Sequence, residues 1–268
     1  MRRTIIAISL LLFTISVAMA QQNAHSNINV AILGDSNTWI GGDDCDKGKG
    51  WNKWFKDIFR PASCKSYARS GATWTNTPQT KTNTEENIAV LGDDNVIYNQ
   101  IVRLQEAVKK GLQPMPDLII IAAGTNDAWF EDKRPLAFSQ NADEVFSMDE
   151  KPITNRPVNT ITSLAASVRY GCEMLMESFP NAQIILLTPL QCTATTLSQI
   201  LRTGDIIEDC ARHMSICVIR QDKTCCVSRT KELRTKRFTT DGTHTNAEGA
   251  RRNGIFLAKK IASMLQTE

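Results

Sequence analysis

The sequence has no N-x-Ser/Thr glycosylation acceptor, no C-x-x-C pair and no glycine-rich phosphate loop. Beyond its first twenty residues it also has no apolar run long enough to span a bilayer. Each absence removes a class of function. A spanning helix needs about 20 apolar residues, so no membrane span is expected in the mature chain. Without paired C-x-x-C spacing, the late group Cys210, His213, Cys217, Cys225 and Cys226 does not read as a zinc site. Without a phosphate loop no nucleotide is implied, so neither metal nor cofactor is expected. No repeat or low-complexity tract is present. Basic residues are not in large excess either, at 31 Lys and Arg against 28 Asp and Glu. The short basic runs at Lys231 to Arg237 and at Arg251-Arg252 read as solvated faces, and no nucleic-acid partner is expected.

What is present begins with an address. Met1-Arg2-Arg3 is a positive start, Ile5 to Val17 is apolar, and Ala18-Met19-Ala20 is an A-x-A cleavage signal before polar Gln21-Gln22. Residues 1–20 therefore read as a signal peptide, with no Cys at the cleavage point to carry a lipid. Removing Arg2 and Arg3 leaves 29 basic against 28 acidic residues. The expected product is a secreted or periplasmic protein of residues 21–268, and the lack of glycosylation acceptors favours the periplasm. All eight cysteines fall in this exported part, where disulfides are allowed. Some bridges are expected, with Cys172, inside an apolar helical pattern, as a buried free thiol.

Strand-length apolar runs occur at Asn29 to Leu33, Leu118 to Ala123, Gln183 to Leu187 and Ile216 to Ile219, with a weaker one at Lys65 to Ala68. Between them, helical periodicity covers Trp51 to Phe59, Val96 to Lys110, Ile161 to Phe179, Leu197 to His213 and Ala247 to Leu265. This alternation predicts one α/β domain, a three-layer α/β/α sandwich around a five-stranded parallel sheet. A long irregular stretch from about 128 to 158, near the expected site, carries Pro135, Pro152 and Pro157, which argue against a hidden helix.

Ligands of an open parallel sheet bind beyond the carboxyl ends of its strands. The polar motifs lie at such ends: Gly34-Asp35-Ser36, Arg69-Ser70-Gly71-Ala72, Gly124-Thr125-Asn126-Asp127, and Asp241-Gly242-Thr243-His244 before the last helix. A serine hydroxyl needs a base to become a nucleophile, and imidazole serves that purpose near neutral pH. Ser36 with His244 as base suits attack on an ester carbonyl. Asp241, three residues before His244, can orient the ring from the same loop. Thr245-Asn246-Ala247-Glu248 reads as a capping box that starts the last helix directly behind the histidine.

These four motifs, in this order, resemble the SGNH hydrolases, also known as the GDSL esterases and lipases. The resemblance covers essentially the whole mature chain, with the marker residues falling on Ser36, Gly71, Asn126 and His244 and the acid on Asp241. One departure is Asn37, where the name-giving motif has Leu. The resemblance implies a flavodoxin-like fold and an oxyanion hole made of the Ser36 and Gly71 backbone N–H groups and the Asn126 side-chain amide. No G-x-S-x-G elbow is present, which disfavours the α/β-hydrolase fold.

His213, near a helix end, is expected to serve packing and dipole roles, and His25 to lie in an exposed tail. Asp35 and Asp127 are expected to make structural hydrogen bonds. Trp39, Trp74 and Trp129 each stand three residues after a marker residue and are candidate platforms for substrate. The expected function is hydrolysis of small acyl esters, foremost O-acetyl groups on a carbohydrate, by a monomer. The alternatives are a lipase-like or thioesterase-like hydrolase of longer chains and an inactive glycan-binding module on the same fold.

Overall fold

The computed structural model describes residues 25–147 and 151–265. The signal peptide read at residues 1–20 lies outside the described residues. Five strands run β1 (Asn29–Gly34), β2 (Ser63–Ser66), β3 (Leu118–Ala122), β4 (Gln183–Leu187) and β5 (Cys217–Ile219). They pair in parallel in the order β2-β1-β3-β4-β5, the order of flavodoxin-like sheets.

Alternation along the strands sorts side chains to two buried faces. On one, Ala31, Leu33, Ile119, Ile121 and Leu186 pack against α3 (Ile97–Lys109), α6 (Leu164–Ser178) and α7 (Leu197–His213). On the other, Val30, Ile32, Ile120 and Leu187 pack against α2 (Trp51–Phe59) and α9 (Ala247–Ala262). Helices on both faces make the expected three layers. The remaining helices are short: α1 (Ser36–Trp39), α4 (Thr125–Trp129), α5 (Ala142–Ser147) and α8 (Arg229–Thr235).

Several expectations need correction. The stretch read as irregular holds α5, whose start is a reciprocal cap: the Asn141 side chain accepts from Glu144 N at 2.9 Å and Glu144 accepts from Asn141 N at 2.8 Å. The three prolines lie outside this short helix, so they do not oppose it. Ala142, Val145 and Ile153 from this stretch join the core, so part of it covers the sheet's helices. The edge strand β2 begins two residues earlier than its apolar pattern suggests.

The last helix is capped by Asn246, which accepts from Gly249 N at 2.9 Å. The capping box at Thr245 is therefore one residue out of register. Thr245 instead donates its hydroxyl to Lys49 O at 3.0 Å, and Glu248 pairs with Arg251 and Arg252.

The expected disulfides are not formed. All eight cysteines are free thiols. Cys45 and Cys64 come within 3.6 Å, sulfur to sulfur, well beyond the roughly 2.05 Å of a bond. Cys172 is buried as expected, and burial pushes its thiol pKa up. His25 is not a free tail, since its ring stacks on Phe59 with centroids 4.1 Å apart. His213 does pack and pair: it stacks on Phe146 at 4.5 Å, and its Nε2 lies 2.8 Å from Asp143.

Candidate active site

Ser36 stands two residues past the end of β1, where Gly34 brings two strand ends close together. A Cβ on Gly34 would lie 2.6 Å from Ala122 O on β3. Gln100 of α3 satisfies this strand end from below, accepting from Gly34 N at 2.8 Å and donating to Gly34 O at 2.9 Å. Asp35 caps α1 by accepting from Asn37 N at 3.1 Å. Trp51 Nε1 donates to Thr38 Oγ1 at 3.0 Å, tying the turn to α2. The position of Ser36 is thus fixed from three sides.

His244 Nε2 lies 2.9 Å from Ser36 Oγ, and His244 Nδ1 lies 2.6 Å from Asp241 Oδ2. The other oxygen of Asp241 accepts from the backbone N–H groups of Thr243 and His244, each at 2.8 Å. Partial burial opposes the charge on Asp241. The hydrogen bonds from the His244 ring and from these two N–H groups outweigh it and bring its pKa down from 3.8 to about 2. The carboxylate is therefore charged at any pH at which imidazole exchanges its proton.

Gly71 and Asn126 lie on two segments, a loop and the start of α4, that are hydrogen-bonded to each other. Asn126 Nδ2 donates to Ala72 O at 2.8 Å, and the amide has a second hydrogen to offer. Asp127 accepts from Trp74 N at 3.0 Å and from both the N–H and the hydroxyl of Thr75, at 2.9 and 2.8 Å. Gly71 sits at φ 79°, in the region that favours glycine. The structural roles expected of Asp35 and Asp127 are thus present.

The three tryptophans separate. Trp39 and Trp129 are 46% and 44% exposed, and Trp129 stacks on Phe130 at 5.2 Å. Trp74 is only 2% exposed and packs in the core with Ile97 and Ile101, so it is no substrate platform. Its backbone turns in at Asp127, which carries the ring beneath the loop.

The sequence reading gave no role to two residues that hold the histidine loop. Asn37 donates to Thr243 O at 3.3 Å and accepts from Thr245 N at 3.1 Å, clasping the backbone on both sides of His244. Glu232, within a run read as a solvated face, is fully buried and accepts from Phe238 N, Thr239 N and the Thr239 hydroxyl. The departure of Asn37 from Leu was the visible signal for the first. Nothing in a charged run marks the second.

Two expected outcomes follow from these contacts. Asn37→Leu leaves a buried carbonyl and N–H unpaired, which costs about 1–3 kcal/mol of stability, and it loosens His244. We expect kcat on a soluble ester to fall on the order of tenfold. Unchanged kcat and thermal midpoint would remove the clasp from the account. The second concerns Asp35, whose pKa burial raises from 3.8 to about 6, against hydrogen bonds from Asn37 N–H and the Thr125 hydroxyl. Between these values the folded protein keeps a proton that the unfolded chain has lost, so stability falls as pH rises. Relative to Asp35→Asn, wild type should lose on the order of 2–3 kcal/mol between pH 4 and 7. Chemical denaturation across that range measures it, and a constant difference would contradict it.

The GDSL-like lipase/acylhydrolase family profile matches residues 32–252, most of the chain and every site loop described above. The chain belongs to this family. Among solved structures, a lipase/acylhydrolase from Enterococcus faecalis is 17% identical with a TM-score of 0.50, covering 90% of this chain and 99% of its own. An acetyl xylan esterase is 16% identical with a TM-score of 0.51, covering 88% and 100%. A protein from Lactobacillus plantarum is 14% identical with a TM-score of 0.59, covering 90% and 100%. At such identities the likeness is one of fold. No curated protein matches this GDSL-family chain in sequence.

Proposed function

We propose that this GDSL-family acylhydrolase is a serine esterase acting on small acyl esters, foremost O-acetyl groups on a carbohydrate. The observation that carries the chemistry is the relay from Ser36 Oγ through His244 to Asp241, at 2.9 and 2.6 Å. In this reading His244 takes the Ser36 proton as the hydroxyl attacks the ester carbonyl. The oxyanion is met by the N–H groups of Ser36 and Gly71 and by the free hydrogen of the Asn126 amide. His244 then returns the proton to the leaving alcohol oxygen, and the acyl group stays on Ser36. Water, deprotonated by the same ring, releases it. Asp241 holds the ring's tautomer and meets the imidazolium charge.

Substrate class rests on the surroundings. His244 and Asp241 are partly exposed, and among the described residues no apolar helix closes over them. The half-exposed indoles of Trp39 and Trp129 suit the faces of sugar rings. An exported location, read from the amino terminus, would bring the enzyme to acetylated glycans outside the cytoplasm. The test compares p-nitrophenyl acetate with octanoate and then measures acetate release from acetylated oligosaccharides, with Ser36→Ala as control. Preference for octanoate would overturn the short-acyl reading. Equal turnover by Ser36→Ala would overturn the mechanism.

A further inference from the structure

Four consecutive apolar residues, Ile88, Ala89, Val90 and Leu91, form a surface tip in the segment before α3. Val90 is 59% and Leu91 38% exposed. Leu91 adopts φ 68°, a conformation that a branched side chain keeps only where its surroundings impose it.

The surroundings are firm. On one side of the tip Arg103 donates to Glu85 O at 3.3 Å and Arg69 to Glu86 O at 3.0 Å. On the other, buried Arg134 reaches both Gly92 O and the Asp93 carboxylate at 3.3 Å, and Asn95 Nδ2 donates to Ser70 O at 2.7 Å. Polar feet thus hold an apolar tip in one place.

That place is beside Gly71. A Cβ on Gly71 would fall 2.6 Å from Val90 Cγ1 and 3.3 Å from Leu91 N. The side of the scissile bond follows from proton transfer. The leaving oxygen must meet His244, whose loop feeds α9 on one face of the sheet. The tip leads instead into α3, which covers the opposite face. An acyl substituent pointing away from the histidine would then extend on the tip's side of the site.

We propose that Val90 and Leu91 form the wall of the acyl pocket and limit the acyl group to short chains. This rests on the short-acyl esterase reading above. Glycine at 71 leaves room for Val90 to stand directly against the oxyanion-hole loop, so the wall lies close to the reacting carbon. Arg134 keeps it there as a positioning residue.

The test is the kcat/KM profile over p-nitrophenyl esters from acetate to octanoate for wild type, for Val90→Ala/Leu91→Ala and for Val90→Phe. The double variant should raise the octanoate-to-acetate ratio at least tenfold, in line with the discrimination that single methylenes give in a pocket. Val90→Phe should move the other way, lowering the butyrate-to-acetate ratio. The thermal midpoints should stay near wild type, since the tip is exposed. If wild type turns over none of the esters, the esterase reading fails. If wild type is active and both variants keep its acyl profile, the wall alone fails. A shift in alcohol preference with an unchanged acyl profile would place the tip on the leaving-group side and overturn the proposal. So would a defect confined to esters presented in micelles, which would make the tip a lipid contact.

Discussion

Ser36→Ala is expected to lower kcat on p-nitrophenyl acetate by about 10⁴-fold or more while leaving the fold intact. The magnitude follows from the mechanism. Without the hydroxyl no acyl-enzyme forms, and the remaining rate comes only from binding and oxyanion donors acting on water. Stability should change little, since the hydroxyl's contact is with the partly exposed His244 ring. His244→Ala should cost a similar factor. The double variant should be scarcely worse than either alone, because the two residues act as one unit. Losses that multiply in the double variant would mean that Ser36 and His244 act separately, contrary to a relay.

Asn126→Ala should lower kcat by about 10²–10³-fold with little change in KM, the expected size for one oxyanion donor. The side chain also holds Ala72 O, so a stability loss of about 1 kcal/mol should accompany it. That loss should not collapse the site. Asp127 pins Trp74 and Thr75 independently of Asn126. Asn126→Asp keeps the shape but sets a carboxylate against both Ala72 O and the oxyanion, and it should be at least as damaging. Single-turnover kinetics separates the cases: a slowed acylation step with unchanged binding supports the donor role. An effect confined to KM would contradict it.

The sheet and the grouping of Ser36, His244 and Asp241 were legible in the sequence because both follow local rules. Strands buried on both faces read as apolar runs, and helices α2 and α7 fall on the predicted residues because their periodicity is local, α7 also having a capping box between Thr196 and Gln199. That arrangement was legible because Asp241 and His244 share one loop and Ser36 follows closely on a strand end. What escaped depends on contacts distant in sequence. Asn37 meets Thr243 and Thr245 more than 200 residues away, and Gln100 reaches Gly34 across 66. Trp74 has the same spacing from its marker residue as Trp39 and Trp129. Spacing along a loop does not tell which way the chain turns, and Asp127 turns this indole inward. Glu232 is hidden for a related reason, since its partners are backbone N–H groups that no composition records. The cysteines misled because an oxidising setting permits a bond without bringing two sulfurs to bonding distance.

The central claim is that Ser36 is the nucleophile activated by His244. The most direct test is covalent trapping with a small fluorophosphonate, followed by peptide mass spectrometry of wild type, His244→Ala and Ser36→Ala. The account predicts a single adduct on the Ser36 peptide of wild type, strongly slowed labelling in His244→Ala and none in Ser36→Ala. An adduct on another residue, or labelling of wild type that His244→Ala leaves at the same rate, would contradict it.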